Sequence, residues 1–166
     1  VLDVLEQLAT VPAAMHRVEH AQLVDPADVP RFASLGVPAS VQPCHLLSDV
    51  EVMHAAWGAR CASAFPLATL AATGALMPFG TDAPVESADP WRGLAAAITR
   101  RGAGWGPAEA FYPTEAIGLD RALRSACPGS PPLFTGYPPG PSWQVHRLDR
   151  VARASRRRWP RGDRRA

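Results

Sequence analysis

The sequence predicts an α/β protein built from parallel βα units, and three observations lead to that prediction. Hydrophobic residues make up 47% of the 166 residues, which is typical of a globular domain with a core of its own. Segments in which apolar residues recur at helical spacing alternate with short apolar segments that favour strands. The order is helix, strand, helix, strand, helix, strand, helix, and strands that alternate with helices indicate a parallel sheet.

The first half of the chain predicts two helices and two strands. These elements cover, in order, residues 1–10 (helix), 16–23 (strand ending near His20), 26–35 (helix) and 37–43 (strand). Leucines at every third position indicate the first helix, and alternating apolar residues indicate the second strand. Asp25 or Asp28 can cap the second helix, and Gly36 can end it.

The second half predicts one more strand between further helices. These elements cover, in order, residues 48–73 (one or two helices), 75–80 (strand), 91–99 (helix) and 115–126 (helix). Gly74 closes the long helical stretch, and Thr114 can cap the last helix, whose first turn holds Glu115. Gly118 weakens that helix because glycine is a poor helix former.

The composition changes after residue 126. Residues 1–126 carry the periodic pattern, whereas residues 127–166 are rich in Pro, Gly and Arg and are predicted to form an irregular, disordered tail. The tail also fits translation of GC-rich DNA in a shifted frame, which is a hypothesis. Because the chain starts without Met inside a predicted helix, we expect it to be a fragment of a larger protein.

The charge is distributed unevenly between the body and the tail. Residues 1–146 hold 8 arginines against 13 acidic residues, and residues 147–166 hold 9 arginines against 2 acidic residues. The basic end, with Trp143 and Trp159 nearby, leaves a nucleic-acid or anionic-lipid contact open. The preferred interpretation is a solvated tail, so no nucleic-acid partner is expected.

Several protein classes are disfavoured by the composition. No apolar run reaches the roughly 18 residues of a membrane span, so we expect no membrane association. Cys44, Cys61 and Cys127 are odd in number and lack a CxxC spacing, which argues against a disulfide framework or a cysteine zinc site. Reduced thiols in a cytoplasmic protein are the simplest expectation. The sequence leaves a homo-oligomer open.

Three polar residues follow the three predicted strands. His20, His45 and Asp82 lie at or just beyond the ends of successive strands, where active sites of parallel α/β barrels are built. Two imidazoles and a carboxylate form a ligand set suited to zinc or a similar cation. A carboxylate beside such an ion can also take a proton from an attacking water. Each residue alone fits an ordinary structural role; their recurrence at the same relative position favours a shared site.

The residues of four segments resemble those of a known enzyme family. HRVEHAQ, PRFASLGVPASVQPCH, MPFGTDAPVESADPW and ITRRGAGWGPAEAF, in this order and spacing, resemble the third family of amidohydrolases. That family includes enzymes similar to N-substituted formamide deformylases and, more distantly, D-aminoacylases. The resemblance covers residues 1–126 and implies the sixth to eighth strands, with their helices, of a partial (β/α)8 TIM-type barrel.

The resemblance also implies roles for the three residues. His20 would bind a divalent metal, with zinc as the expected ion, and Asp82 would bind the same metal and act as the general base. His45 would be a substrate or oxyanion contact. The implied reaction is hydrolysis of carbon–nitrogen bonds other than peptide bonds in a small amide-type substrate, by metal-activated water.

Other residues and motifs fit the family less directly. His16 is interpreted as the start of a strand and His54 as a helix-surface residue, while Trp105 either borders the substrate pocket or packs in the core. The family's His-x-His pair, its fifth-strand His and its closing β-sandwich segment do not occur in the sequence. The alternative is therefore a catalytically incompetent, truncated remnant of such an enzyme.

Overall fold

Six helices and three short extended segments make up the described chain. A computed structural model describes residues 1–7, 16–102 and 104–127. The helices of these residues are α1 (Leu2–Gln7), α2 (Val29–Leu35), α3 (His45–Trp57), α4 (Leu67–Ala72), α5 (Pro90–Thr99) and α6 (Leu119–Ala126). Short 3-10 helices cover Gly58–Ser63, Pro107–Glu109 and Pro113–Glu115.

The three segments predicted as strands lie side by side and run parallel. Val18 pairs with Ala39, and Val41 pairs with Phe79, each through a parallel bridge. The middle segment, 37–43, therefore lies between the other two, and both Ala39 and Val41 are fully buried. The order of the segments in space follows their order in the sequence.

The pairing consists of isolated bridges rather than long strands. Pro38 and Pro78 accept hydrogen bonds through their carbonyls, from Val18 and Val41 respectively, but have no backbone N–H to donate. Pro43, at the end of the middle segment, likewise has no backbone N–H to donate. The number of parallel hydrogen bonds is thus limited by prolines, and membership of a closed barrel stays a prediction.

The long helical stretch predicted over 48–73 is divided into separate helices. Helix α3 begins at His45, three residues earlier than predicted, and ends where Gly58 takes a positive φ of 53°. The 3-10 turn Gly58–Ser63 separates α3 from α4. Gly74, with a φ of 79°, follows α4 at the predicted position.

The predicted caps are right for some helices and wrong for others. Gly36 ends α2 in the left-handed conformation, as predicted. Asp28 precedes α2, but its carboxylate binds the Arg31 side chain instead of a backbone N–H. Asp89, which the sequence did not single out, caps α5 by accepting a hydrogen bond from the Trp91 N–H at 3.0 Å.

The last helix begins later than predicted because Glu115 serves another helix. Pro113–Glu115 forms a 3-10 turn, and α6 starts after Gly118, so Thr114 does not cap it. The Glu115 carboxylate accepts hydrogen bonds from the N–H (3.0 Å) and the hydroxyl of Thr69 in the first turn of α4. Glu115 thereby caps α4 in place of Pro66, the residue before the helix, whose side chain has no atom that can accept a hydrogen bond.

A buried arginine links two distant segments of the chain through hydrogen bonds to backbone carbonyls. Arg100 follows α5 with a φ of 55° and is fully buried. Its guanidinium donates to the carbonyls of Phe111 (2.9 Å), Phe65 (3.1 Å) and Ala64 (3.3 Å). Burial lowers the pKa of Arg100 to about 10, so the side chain remains a cation at neutral pH.

No helix of the described residues is long and apolar enough to cross a membrane. The tail predicted over 127–166 lies outside the described residues except for Cys127, and so do Trp143 and Trp159.

Candidate metal centre

His20, His45 and Asp82 converge in space, as the sequence predicted. One potential ligand atom from each residue lies within 4.8 Å of the others. Asp82 Oδ2 is 3.7 Å from His45 Nε2 and 3.9 Å from His20 Nε2. The two imidazole rings are nearly parallel, with an interplanar angle of 17° and 5.7 Å between centroids. These three residues are called the site cluster below.

The backbone places two members of the cluster in an unfavourable conformation. His20 has a φ of 52° and Asp82 a φ of 57°, both in the left-handed region that non-glycine residues seldom adopt. Such conformations concentrate at functional sites, where the surrounding structure holds them. The positive φ turns the chain at the end of each outer extended segment and directs the side chain towards the middle one.

His45 reaches the cluster from the first turn of α3. Its N–H donates to the Gln42 carbonyl at 3.0 Å, so the helix starts directly after the middle segment. The His45 side chain is only 10% exposed, against 47% for His20 and 36% for Asp82. Its Nε2 is buried and has no hydrogen-bond partner among the described residues. A buried polar atom without a partner carries a desolvation cost, which a bound ligand would offset.

The cluster has room to close around a cation. Tetrahedral zinc with ligand bonds of about 2.1 Å separates its ligand atoms by roughly 3.4 Å. The observed 3.7 and 3.9 Å from Asp82 to the two imidazoles therefore require a contraction of only a few tenths of an ångström, whereas ligand atoms of the cluster up to 4.8 Å apart would have to approach by more than 1 Å for all three residues to bind one ion. Two imidazole nitrogens and a carboxylate oxygen are also the donor types that zinc prefers. The residues present thus fit a divalent cation.

Polar contacts beside the cluster hold the segments that carry it. Gln22, two residues after His20, donates from its side-chain amide to Asp49 Oδ2 on α3 at 2.9 Å. Hydrogen bonding with Ser40 and Arg17 lowers the pKa of Glu19, although partial burial opposes this, so a carboxylate remains charged next to His20. Sequence reasoning missed these contacts; the Gln of the HAQ segment was the only local signal.

A buried thiol, that of Cys44, contacts the segment that carries Asp82. Cys44 Sγ is 3.7 Å from the Thr81 carbonyl, and burial, with the charge of Glu86, raises the pKa of the thiol. The thiol is therefore neutral at physiological pH and carries a proton to donate. Sequence reasoning treated this cysteine only as a reduced thiol.

The remaining sequence candidates lie apart from the cluster. His54 is exposed in the last turn of α3, and its ring meets the edge of Phe111 at 5.5 Å between centroids. Trp105 is half-buried, packs against the hydrophobic core and lies over Gly102, where an added Cβ would come within 2.7 Å of the indole. These contacts favour the packing alternative for Trp105. His16 is not part of the three-residue cluster.

Comparisons with known proteins agree on one family. Residues 1–129 match the model of a family described as an amidohydrolase family. The chain is 32% identical over 128 residues to the protein LONG AFTER FAR-RED 3 of Arabidopsis thaliana, covering 74% of this chain and 22% of that protein. It is 28% identical over 131 residues to YtcJ of Bacillus subtilis, named as a candidate amidohydrolase, covering 78% of this chain and 25% of YtcJ.

Two solved structures of metal-dependent hydrolases are also similar to this chain. An uncharacterised metal-dependent hydrolase of Pyrococcus horikoshii is similar with a TM-score of 0.63 and 32% identity, covering 75% of this chain and 24% of that one. A second, from Pyrococcus furiosus, has a TM-score of 0.53 and 31% identity, covering 65% and 21%. The chain therefore spans about a quarter of the length of the curated relatives it matches.

Proposed function

Because the chain belongs to the amidohydrolase family, we propose that it forms part of a metal-dependent hydrolase that cleaves amide-type carbon–nitrogen bonds outside peptides. The observation that carries the proposal is the convergence of the site cluster, with ligand atoms within 4.8 Å of one another. The substrate class is a small molecule such as an N-formyl or N-acyl amine. The family supports the hydrolase, and the choice of bond is our proposal.

His20 and Asp82 are the residues proposed to hold a divalent cation, with zinc as the expected ion. Such a cation supplies Lewis-acid polarisation of a carbonyl oxygen and of water. His20 contributes a neutral imidazole nitrogen, and its partly exposed side chain is open to a ligand from solvent. Asp82 contributes an oxygen that already faces both imidazoles.

Asp82 and His45 are proposed to act on the substrate. The second carboxylate oxygen of Asp82 would accept the proton of the attacking water and pass it to the leaving amine. His45 would donate a hydrogen bond to the oxyanion that develops on the substrate carbonyl. This bond would give the buried Nε2 of His45 a partner. Because His45 is nearly buried, this hydrogen bond forms where water competes little.

The test measures hydrolysis of N-formyl and N-acyl amines by the protein in the presence of zinc. Asp82→Asn keeps the side-chain shape but removes the base, so kcat is expected to fall by about 10²- to 10⁴-fold. Asp49→Asn changes a neighbouring aspartate that binds Gln22 rather than the cluster, and is expected to retain most of the activity. Undiminished activity of Asp82→Asn would contradict the role given to Asp82.

The alternative is a catalytically incompetent remnant of such an enzyme. It predicts that the folded chain neither retains zinc through dialysis nor hydrolyses any of these amides. Retention of one zinc ion that is lost on His20→Ala substitution would speak against the remnant.

A further inference from the structure

The buried Cys44 thiol links two of the segments that form the site cluster. Cys44 directly precedes His45, and Thr81 directly precedes Asp82. The Cys44 thiol donates to the Thr81 carbonyl over an Sγ–O distance of 3.7 Å, and Cys44 is 2% exposed. This contact therefore connects the start of α3 to the residue before the site carboxylate.

The Thr81 carbonyl matters because it belongs to the peptide unit that leads into Asp82. Asp82 has a φ of 57°, a conformation that costs about 1–2 kcal/mol in a non-glycine residue and persists only where neighbouring contacts hold it. A donor bound to that carbonyl restricts the rotation of the peptide plane. The direction of the Asp82 side chain depends on that plane.

The neighbouring backbone is anchored on both sides of this contact. The Gly80 N–H donates to the Val41 carbonyl at 3.0 Å, which fixes the chain one residue before Thr81. Helix α5 backs the turn at Cys44: a Cβ added to Gly93 would lie 3.8 Å from the Cys44 nitrogen. The Asp82 carbonyl accepts a hydrogen bond from the Val85 N–H at 2.8 Å, and the thiol contact holds the preceding carbonyl, that of Thr81.

We infer that Cys44 is a positioning residue, which holds the Asp82 carboxylate beside the His20 imidazole, where the two would share a cation. The inference rests on the proposed metal-dependent function. Residues that orient metal ligands through one intervening contact typically change metal affinity by about 10- to 100-fold when removed. A thiol is a weak donor, so the lower end, about tenfold, is expected for Cys44→Ala.

Cys61 provides a matched control. Like Cys44 it is a buried free thiol, fully shielded from solvent, and it donates to a backbone carbonyl, that of Met53, at 3.2 Å. The Met53 carbonyl lies near the other end of α3, away from the site cluster. Cys61→Ala removes the same chemical group from the same core without touching the Asp82 segment.

The experiment titrates the full chain with Co²⁺ and follows the visible absorption, for the wild type, Cys44→Ala, Cys44→Ser and Cys61→Ala. Cys44→Ala is expected to raise the Kd about tenfold. Cys44→Ser, which keeps a donor, is expected to recover most of the affinity. Cys61→Ala should stay within about twofold of wild type because it is distant from the cluster. Both alanine variants are expected to lower Tm, and equal Co²⁺ affinity in the two would overturn the inference.

A second measurement separates this inference from the proposed function. If the wild type binds no Co²⁺, the proposed metal-dependent function fails, but the position of Asp82 can still be read in the metal-free chain. Cys44→Ala is expected to shift the Asp82 amide resonance and speed its hydrogen exchange, while Cys61→Ala leaves both unchanged. An unchanged Asp82 amide in Cys44→Ala would overturn the positioning role.

Discussion

Arg100 and two of the three site-cluster residues share one unusual backbone conformation but differ in their polar contacts. Arg100, His20 and Asp82 have φ values of 55°, 52° and 57°. The Arg100 guanidinium is fully buried and donates to three carbonyls. The site cluster is partly open to solvent, and the buried Nε2 of His45 has no partner among the described residues.

The difference separates a group that stabilises the fold from groups available to a ligand. A buried polar side chain whose partners are all supplied by the protein contributes to stability. A strained backbone, as at His20 and Asp82, and a buried polar atom without a partner, as at His45, each cost stability, and they persist where a function requires them. Replacing each residue by glycine relieves the same backbone strain and therefore tests which description applies.

Arg100→Gly is expected to give the largest effect. The substitution removes three hydrogen bonds from a charged donor, so the free energy of unfolding should fall by about 3 kcal/mol or more. The Phe65 carbonyl keeps the Leu67 N–H as a donor at 2.8 Å, whereas the buried carbonyls of Ala64 and Phe111 lose their guanidinium donor. Relief of the positive φ offsets about 1–2 kcal/mol of this loss. Urea unfolding measures the change, with Arg101→Gly as the control because Arg101 makes none of these three bonds. A loss under about 1 kcal/mol would contradict the stabilising role of Arg100.

His20→Gly is expected to abolish tight metal binding. Loss of a ligand should weaken zinc affinity by about 100-fold or more, beyond the effect of residues that only orient ligands. Isothermal titration calorimetry measures this, with His54→Ala as a control imidazole outside the cluster. The metal-free His20→Gly chain should be as stable as wild type or more so, because glycine adopts this φ without strain. A clear loss of metal-free stability would show that His20 serves the fold.

Glu115→Ala tests a satisfied polar group that is less buried than Arg100. Removing its carboxylate leaves the first turn of α4 without its acceptor at Thr69, so the free energy of unfolding should fall by about 1 kcal/mol, as for the loss of a helix cap. Zinc affinity should not change. Thermal unfolding of Glu115→Ala beside Glu51→Ala, which changes an exposed glutamate of α3, checks the size. Equal effects of the two would argue against the cap.

The Asp3 carboxylate is expected to give the smallest effect because it is exposed. Hydrogen bonding and charge attraction from Arg31 on α2 lower the pKa of Asp3 below its usual 3.8. A lowered pKa in the folded state stabilises the protein above the usual value, and this stabilisation is lost as pH falls from 3.8 through the lowered pKa. The stability difference between wild type and Asp3→Asn should therefore shrink below that pH. A difference that does not vary with pH would contradict the pairing.

The site cluster was within reach of the sequence because its signals are local. His20, His45 and Asp82 each follow a short apolar segment, and the repeated position predicted that they meet. Their chemical roles and the barrel stay predictions. The short extent of the paired segments also has a local cause, since Pro38, Pro43 and Pro78 are visible in the sequence.

The contacts that hold the structure together were beyond sequence reasoning because they join distant residues. Arg100 looks like one of two exposed arginines after a helix, yet its partners Ala64 and Phe65 precede it by 36 and 35 residues. Glu115 looks like a first-turn residue of its own helix but caps α4, 46 residues earlier. The Cys44–Thr81 contact spans 37 residues. None of these contacts follows a regular spacing of residues, so a single sequence gives no sign of them.

Anomalous diffraction from crystals grown with zinc tests the central claim most directly. We expect one zinc peak about 2.0–2.2 Å from both a His20 nitrogen and an Asp82 oxygen. A zinc peak elsewhere on the chain, or side chains of His20 and Asp82 that turn away from each other in the zinc-bound crystal, would contradict it.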